Sequence, residues 1–234
     1  MIRGVLFDKD GTLLDYAQTW TPINRAVALL AARGDVQLAD TLLRLGGQDP
    51  ATGAMRPGSV LAVGTHEEIA ALFESHLGDS APEALADTIA ATFETGGGLH
   101  SVLVDDAEAT LDTLAGAGII LGIATNDTAG GLTASLGRHT GFLDRFQFLA
   151  GCDSGYGAKP EPGMMLAFAA TVDLQPREIA VVGDAVHDLE MARRAGAGLR
   201  IGVAGGTSPI HDLAPHAHHV LTRLGDLVGV IRQS

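Results

Sequence analysis

Two aspartates separated by a single residue follow an apolar run near the start of the chain, in FDKDGT at residues 7–12. Positions i and i+2 of an extended segment share a face, so the carboxylates of Asp8 and Asp10 should lie close together. Carboxylates in such proximity repel unless a proton or a cation intervenes. Mg²⁺ suits this arrangement because it takes oxygen ligands and binds only a few protein carboxylates. The pair therefore predicts a divalent-cation site.

Two further polar residues end apolar runs in the same way. Asn126 ends the run at 119–126, and Asp184 ends the run at 179–184. Continuous apolar runs of this length are typical of strands buried on both faces of a parallel sheet. Ligands of such sheets bind beyond the carboxyl ends of the strands. We therefore expect Asp8, Asn126 and Asp184 to meet at one sheet edge, with Asp184 supplying a third carboxylate.

Apolar runs and helical segments alternate along most of the chain. Strands are predicted at 2–8, 119–126, 179–184 and 199–204, and more weakly at 147–150 and 219–221. Helices are predicted at 106–117, 163–172 and 187–195, two of which stop at a glycine. This alternation predicts an α/β fold with a Rossmann-like, doubly wound parallel sheet as its core.

Residues 16–95 have a different pattern, with amphipathic helical spacing and no convincing strand. Helix starts are predicted at Thr21-Pro22, at Thr65 with Glu68, and at Ser80 with Glu83. The segment is therefore interpreted as an all-helical insert after the first strand, with residues 1–15 and 96–234 forming the core. The three glycines at 96–98 are expected to be a flexible return linker.

Composition limits the possible partners. The 234 residues carry a formal net charge of −13, which argues against general binding to nucleic acid or to an anionic membrane. Cys152 is the only cysteine, so no intramolecular disulfide is possible. The N-terminal residues lack a signal-peptide pattern, and no run reaches the ~18 apolar residues of a membrane span. A cytoplasmic protein is expected, and both a monomer and a homodimer remain open.

Four short motifs occur in order at these predicted strand ends. They are Asp8–Thr12 (DKDGT), Thr125-Asn126, Lys159 within AKPEP, and Gly183–Asp188 (GDAVHD). In sequence and order they resemble the motifs of haloacid dehalogenase-superfamily hydrolases of the phosphoglycolate-phosphatase-like group. The resemblance covers residues 1–15 and about 97–234. The insert matches the helical cap of that family in position and size, although not by a motif.

The resemblance implies a catalytic role for each acidic motif residue. Asp8 would attack phosphorus and form an aspartyl-phosphate, while Asp10 would protonate the leaving oxygen and later deprotonate a water. Mg²⁺ would be held by the side chains of Asp8 and Asp184 and by the main-chain carbonyl of Asp10. Asp188 would support the metal from outside its first ligand shell.

The remaining motif residues are expected to bind phosphate. Thr125 and Lys159 would contact the transferring phosphoryl oxygens, with Lys159 also restraining Asp8. Asn126 follows Thr125 in the same motif and is included with the phosphate-binding residues. The amide of Gly11 is expected to donate to phosphate, because glycine leaves the approach unobstructed.

Two basic residues are candidates for contact with the rest of the substrate. Lys9 and Lys159 are the only lysines of the chain. The side chain of Lys9 should point away from Asp8, and we expect it at the mouth beneath the cap, where it could meet an anionic leaving group. A solvated Lys9, or one paired with an acid such as Asp15, is the alternative. Within the cap, Arg56 in the MRPGS loop is the best candidate for reaching the substrate.

The favoured function is a Mg²⁺-dependent phosphatase acting on a small phosphorylated metabolite, with phosphoglycolate as the leading candidate. A sugar phosphomutase related to β-phosphoglucomutase is the alternative, because Asp10 would serve it equally well. A dehalogenase does not require Asp10, and a phosphonoacetaldehyde-type hydrolase needs a cap lysine that residues 16–95 lack. A catalytically silent binding module is disfavoured because Asp8, Asp10 and Asp184 are all intact.

Overall fold

Six parallel strands form a single sheet at the centre of the chain, which the computed structural model describes from Met1 to Ser234. The strands are β1 (Gly4–Phe7), β2 (Ile120–Ala124), β3 (Phe148–Ala150), β4 (Ile179–Gly183), β5 (Leu199–Val203) and β6 (His219–Leu221). All six lie within the predicted runs. Their order is β3-β2-β1-β4-β5-β6, so the winding reverses between β1 and β4. Asp8 and Asp184 follow these two strands and therefore lie at the topological switch point, where ligands of doubly wound sheets bind.

Helices connect the strands and form the insert. The helices are α1 (Tyr16–Ala31), α2 (Val36–Gly46), α3 (Val60–Val63), α4 (His66–Leu77), α5 (Leu85–His100), α6 (Ala107–Gly116), α7 (Ala129–Gly137), α8 (Gly163–Thr171), α9 (Val186–Ala195), α10 (Ile210–Leu213) and α11 (Leu227–Arg232). The three helices predicted for the core correspond to α6, α8 and α9. None of the helices is long and apolar enough to cross a membrane.

Both faces of the sheet are buried, as the unbroken apolar runs predict. In β1, Val5 and Phe7 belong to a cluster with Leu111 of α6 and other residues of α7 and α11. Leu6 belongs to the opposite cluster, which includes Phe168 of α8. Alternate residues of one strand thus face different helical layers. The predicted doubly wound fold is confirmed.

Helices α1–α5 contain a separate apolar cluster of 17 buried residues and no β-strand. The predicted capping box at Thr65 and Glu68 is present at the start of α4. The predicted start at Thr21-Pro22 is wrong, because Asp15 caps α1 earlier by accepting a hydrogen bond from the amide of Gln18. The predicted start at residues 80–83 is also wrong, since α5 begins at Leu85.

The glycines at 96–98 lie inside α5 and do not form a flexible linker. Their lack of side chains allows α5 to approach two helices at once. A Cβ on Gly96 would lie 2.8 Å from Cγ1 of Ile23 in α1, and one on Gly97 would lie 3.3 Å from Cβ of Ser135 in α7. Packing against both neighbours compensates for the poor helix propensity of glycine. The predicted domain boundary at residue 96 therefore cuts through a helix, and the division into core and cap stays a prediction.

The two chain segments that join the insert to the core run side by side. The amide of Asp15 donates to the carbonyl of Val102 at 2.8 Å, and the amide of Val102 donates to Oγ1 of Thr19 at 3.0 Å. The amide of Val104 donates to the carbonyl of Leu13 at 3.0 Å. The insert thus leaves and re-enters the core at one place, a few residues after Asp10.

Alanine substitutions at Gly96 and Gly98 should change stability in opposite directions. Gly96→Ala should lower the free energy of unfolding by about 1–3 kcal/mol, because its Cβ would overlap Ile23. Gly98→Ala should raise it by about 0.5–1 kcal/mol, because it improves helix propensity and its Cβ lies 3.6 Å from the nearest atom, the carbonyl oxygen of Ala134. Urea denaturation measures both. A flexible linker would instead give little change in either variant.

Candidate active site

Asp8 lies at the end of β1 and is held by a buried lysine from the loop after β3. Nζ of Lys159 lies 2.5 Å from Oδ1 of Asp8 and 2.6 Å from Oδ1 of Asp188. The Lys159 side chain is fully buried, so its ammonium is balanced by these two carboxylates and not by water. The structure thus brings the predicted Lys159 and Asp8 together, as expected for a lysine that restrains Asp8. Lys159 does not line the central cavity, so its predicted contact with phosphate stays a prediction.

Three buried carboxylates form one cluster at this edge of the sheet. Asp8, Asp184 and Asp188 can each offer an oxygen within 4.8 Å of the others. Oδ2 of Asp184 accepts hydrogen bonds from the amide of Thr207 at 2.5 Å and from its hydroxyl at 2.7 Å. Both oxygens of Asp188 are occupied, one by Lys159 and the other by the amide of Ala185 at 3.0 Å. Asp188 therefore contacts Lys159 and the start of α9, and its predicted role outside the first ligand shell of the metal stays a prediction.

Burial and mutual repulsion alter the protonation of this cluster. Burial raises the pKa of Asp8 well above its usual value, although the Lys159 ammonium opposes the shift. Burial and the neighbouring Asp188 raise the pKa of Asp184 to about 7. Burial acts in the same direction on Asp188, but the Lys159 ammonium, His187 and the hydrogen bond from the amide of Ala185 together outweigh it and lower the pKa of Asp188. Without a cation, the cluster therefore holds protons that ordinary aspartates would release.

The donor set of this edge fits a divalent cation. Oδ2 of Asp8 and Oδ1 of Asp184 accept no hydrogen bond within the chain, and neither does the main-chain carbonyl of Asp10. These are the three groups predicted to hold Mg²⁺, and hard oxygen ligands are the ones it prefers. Two glycines leave room for the Asp184 carboxylate at this site. A Cβ on Gly11 would lie 2.5 Å from Oδ2 of Asp184, and one on Gly206 would also collide with this carboxylate.

Gly11 serves a different purpose from the predicted one. Its amide donates to the carbonyl of Leu14 at 2.9 Å and is therefore not available to phosphate. It has a positive φ of 76°, and its missing side chain makes room for Asp184. The prediction that the Gly11 amide binds phosphate is wrong, because the turn after β1 uses that amide internally.

The side chain of Asp10 belongs to a second charged group. Nζ of Lys9 lies 2.9 Å from Oδ1 and 2.8 Å from Oδ2 of Asp10, and 2.9 Å from Oδ2 of Asp127. The indole Nε1 of Trp20, in α1, donates to Oδ1 of Asp10 at 2.6 Å. Burial raises the pKa of Asp10, and the Lys9 ammonium only partly offsets that effect. Asp10 is thus held by one group from the core and one from the insert.

The prediction for Lys9 is wrong. Its side chain is fully buried and does not line the cavity, so it cannot meet a leaving group. Burial alone would lower the pKa of Lys9, but Asp10 and Asp127 outweigh it and raise that pKa. The ammonium also lies 4.8 Å from the ring centre of Trp20. The alternative of pairing with a nearby acid is confirmed, although the acids are Asp10 and Asp127, because Asp15 caps α1.

Thr125 and Asn126 follow β2 and both line the cavity. Oγ1 of Thr125 accepts a hydrogen bond from the amide of Asp127 at 3.1 Å, which leaves its hydroxyl proton free to donate. The side chain of Asn126 is occupied by the backbone of Lys159, which it contacts at 2.8 Å and 3.2 Å. The Asn126 side chain therefore holds the loop that carries Lys159, and its predicted contact with phosphate stays a prediction. The amides of Lys9, Asp10 and Asn126 donate to no acceptor within the chain.

A cavity of about 220 Å³ separates the sheet edge from the insert. Asp8, Asp10 and Asp184 lie on its core side, together with Thr125 and Asn126. The opposite wall comes from the insert, where it includes Trp20, the segment 61–67 and Phe93. Arg56 is exposed and does not line the cavity, so the structure does not bring it to the other predicted residues.

Three residues of the site were not predicted from the sequence. Asp127 directly follows the Thr125-Asn126 motif, and Thr207 lies in a Gly-Gly-Thr-Ser segment after β5. Each therefore lies in a local polar pattern from which it could have been predicted. Trp20 had none, since it is an apolar-face residue of α1 whose indole reaches Asp10 only in the folded chain.

Comparisons with known proteins give the family of this chain. A family model described as haloacid dehalogenase-like hydrolase matches residues 2–196. A phosphoglycolate phosphatase of Xylella fastidiosa is 34% identical over 194 residues, 83% of this chain and 77% of that protein. An N-acetylmuramic acid 6-phosphate phosphatase of Pseudomonas putida is 28% identical over 83% of this chain and 80% of its own length.

A solved structure shows the same fold. It is a Thermotoga maritima protein provisionally assigned as a β-phosphoglucomutase, with a TM-score of 0.74 at 17% identity, covering 99% of both chains. At that identity the similarity concerns the fold alone. The family match and the curated relatives identify the chain directly, and the chain belongs to the haloacid dehalogenase-like hydrolases, as its motifs predicted.

Proposed function

We propose that this protein is a Mg²⁺-dependent phosphatase that hydrolyses a small phosphate monoester through an aspartyl-phosphate on Asp8. One observation carries the proposal: Lys159 fixes one oxygen of Asp8, while the other accepts no hydrogen bond and Asp8 lines the cavity. An anchored carboxylate with one free oxygen is suited to nucleophilic attack. The curated relatives, both named as phosphatases, support the same reaction class.

The two aspartates divide the chemistry between them. The free oxygen of Asp8 attacks phosphorus, the bond from phosphorus to the leaving oxygen breaks, and protonated Asp10 gives its proton to that oxygen. Asp10 then takes a proton from a water, whose oxygen attacks phosphorus and releases inorganic phosphate and the Asp8 carboxylate. The raised pKa of Asp10 supports this role, because a carboxyl that keeps its proton nearer to neutral pH is a better acid there.

Positive charge and amide donors are needed around the transferring phosphoryl group. When bound, Mg²⁺ would neutralise charge between the Asp8 carboxylate and the phosphate, held by the side chains of Asp8 and Asp184 and the carbonyl of Asp10. The free amides of Lys9, Asp10 and Asn126 and the hydroxyl of Thr125 would donate to phosphoryl oxygens. Lys159 would add its charge from behind Asp8.

The substrate is proposed to be a small phosphorylated metabolite. The cavity volume of about 220 Å³ lies below the roughly 300–1,000 Å³ of pockets for drug-sized ligands. The names of the relatives make phosphoglycolate the first ester to assay. The Thermotoga neighbour keeps a sugar phosphomutase as the second candidate. The products separate the two, because a mutase returns an isomeric sugar phosphate and little free phosphate.

Replacing the nucleophile should abolish turnover. Asp8→Asn should lower kcat for phosphate release by at least about 1,000-fold, because the amide cannot form the aspartyl-phosphate. Asp105→Asn makes the same chemical change at an exposed aspartate outside the site and is the matched control. Phosphate release from a panel of small esters measures both. Undiminished release by Asp8→Asn would rule out Asp8 as the nucleophile.

Removing the indole donor of Trp20 should lower kcat through Asp10 without unfolding the protein. Trp20→Phe removes the 2.6 Å hydrogen bond to Asp10 and keeps an aromatic ring near Phe93. The indole fixes the position of the Asp10 carboxyl, and a misplaced proton-transfer group slows the reaction, so kcat should fall by roughly tenfold or more. Steady-state kinetics with a melting curve distinguish this from unfolding. A stable variant with unchanged kcat would show that the indole does not assist Asp10.

As the pH rises, Mg²⁺ should bind more tightly, whereas the contribution of Asp184 to the stability of the metal-free protein should decrease. Asp184, with its pKa raised to about 7, holds a proton in the folded protein that the unfolded chain loses near pH 4. Its contribution to the stability of the metal-free protein should therefore decrease as the pH rises from about 4 through 7. Mg²⁺ must displace that proton, so the increase in Tm caused by Mg²⁺ should be larger at pH 8 than at pH 5.5.

The control for this experiment is Asp184→Asn, which should remove most of the Mg²⁺-induced increase in Tm at both pH values. Thermal denaturation with Mg²⁺ or EDTA measures it without any substrate. An equal Mg²⁺ effect at pH 5.5 and pH 8 in the unaltered protein would contradict the assignment of Asp184 as a ligand.

A further inference from the structure

The walls of the cavity carry negative charge and no lysine or arginine. The six acidic residues that line the cavity are Asp8, Asp10, Glu67, Asp127, Asp153 and Asp184. Asp8 and Asp184 belong to the cluster of buried carboxylates, whereas Asp10 and Asp127 are paired with Lys9. Glu67, on α4, and Asp153, after β3, line the cavity outside these two groups.

None of the arginines of the insert reaches this space. Residues 16–95 contain four arginines and no lysine. Arg25 is paired with Asp40 at 3.1 Å, and Arg33, Arg44 and Arg56 are exposed outside the cavity. Both lysines of the core are enclosed by carboxylates, and neither lines the cavity. A second anionic group on the substrate would therefore find no strong cation.

Two histidines are the only basic residues on the wall, and neither replaces a cation. His187 lies 3.6 Å from Oδ1 of Asp188, so a proton on its ring would be shared with that carboxylate. His66 stacks on Phe93, with ring centres 5.2 Å apart and an angle of 21° between the planes. It thus presents an aromatic surface together with Phe93.

Most of the remaining wall contributed by the insert is apolar. Its apolar members are Trp20, Leu61, Ala62, Val63, Ile69 and Phe93. Such a surface favours carbon-rich groups, because their contact with it removes apolar area from water. It offers no opposite charge to offset the cost of removing water from a carboxylate or a second phosphate.

From this wall we infer that the leaving group of the substrate is a small uncharged alcohol with an apolar face, and that monoesters with a second anionic group are disfavoured. The inference rests on the proposed phosphatase activity and specifies its substrate class. The transferring phosphate has the metal ligands, the free amides and Thr125 to compensate its charge, whereas the rest of the wall has no lysine or arginine and consists of carboxylates, apolar groups, two histidines and neutral polar side chains. Like charges placed together in this way are a common means of rejecting a wrong partner.

The test compares two esters of nearly identical shape. Phosphoglycolate and its carboxamide differ only in that a carboxylate is replaced by an uncharged amide. kcat/KM from phosphate release, in the presence of Mg²⁺, should be at least about tenfold higher for the carboxamide. Equal values, or a preference for phosphoglycolate, would overturn the inference and leave the phosphatase function standing. Absence of release from both esters and from p-nitrophenyl phosphate would overturn the function and the inference together.

A variant on the wall provides an independent measurement. Glu67→Gln removes one exposed carboxylate of α4 without adding bulk. It should raise the ratio of kcat/KM for phosphoglycolate to that for the carboxamide by several-fold. The matched control is Glu74→Gln on the same helix, outside the cavity wall, which should leave the ratio unchanged. A ratio that does not respond to Glu67→Gln would contradict the proposed repulsion.

Discussion

Two buried ammonium groups allow five aspartates to share one edge of the sheet. Lys159 lies between Asp8 and Asp188, and Lys9 lies between Asp10 and Asp127. Buried carboxylates without partners would be expelled or protonated, and removal of one member of such a group leaves an uncompensated charge. The only two lysines of the chain are therefore both structural necessities of the site. The fifth carboxylate, Asp184, depends instead on Thr207 and, in our proposal, on the metal.

This arrangement separates the two aspartates of the first motif. Asp8 is turned toward the cluster with Asp184 and Asp188, whereas the carboxylate of Asp10 is turned toward Lys9 and Trp20. The two carboxylates thus have different electrostatic surroundings, although a single residue lies between them. In our proposal, this difference lets one of two chemically identical side chains act as the nucleophile and the other as the acid.

The sheet and the four motifs could be predicted from the sequence, because each depends on local order. Unbroken apolar runs identify the strands, and a parallel sheet brings the carboxyl ends of its strands to one edge regardless of the conformation of the loops. Lys9 and Arg56 could not be placed, since alternation along a strand gives a direction but not the partners that a distant helix or loop supplies. The glycines at 96–98 were misassigned for a related reason: they allow close packing against Ile23 and Ser135, which lie far away in sequence.

The paired segments that join the insert to the core bring both chain connections to one junction. The chain departs near Asp15 and returns near Val102, with hydrogen bonds between the two segments. No residue of the six strands lies between these points. Elsewhere the insert contacts the core through the hydrogen bond from Trp20 to Asp10, through the packing of α5 against α7, and across the cavity. A replacement of the insert would therefore change the support of Asp10 and the shape of the cavity, while Asp8 and the strands have their own partners within the core.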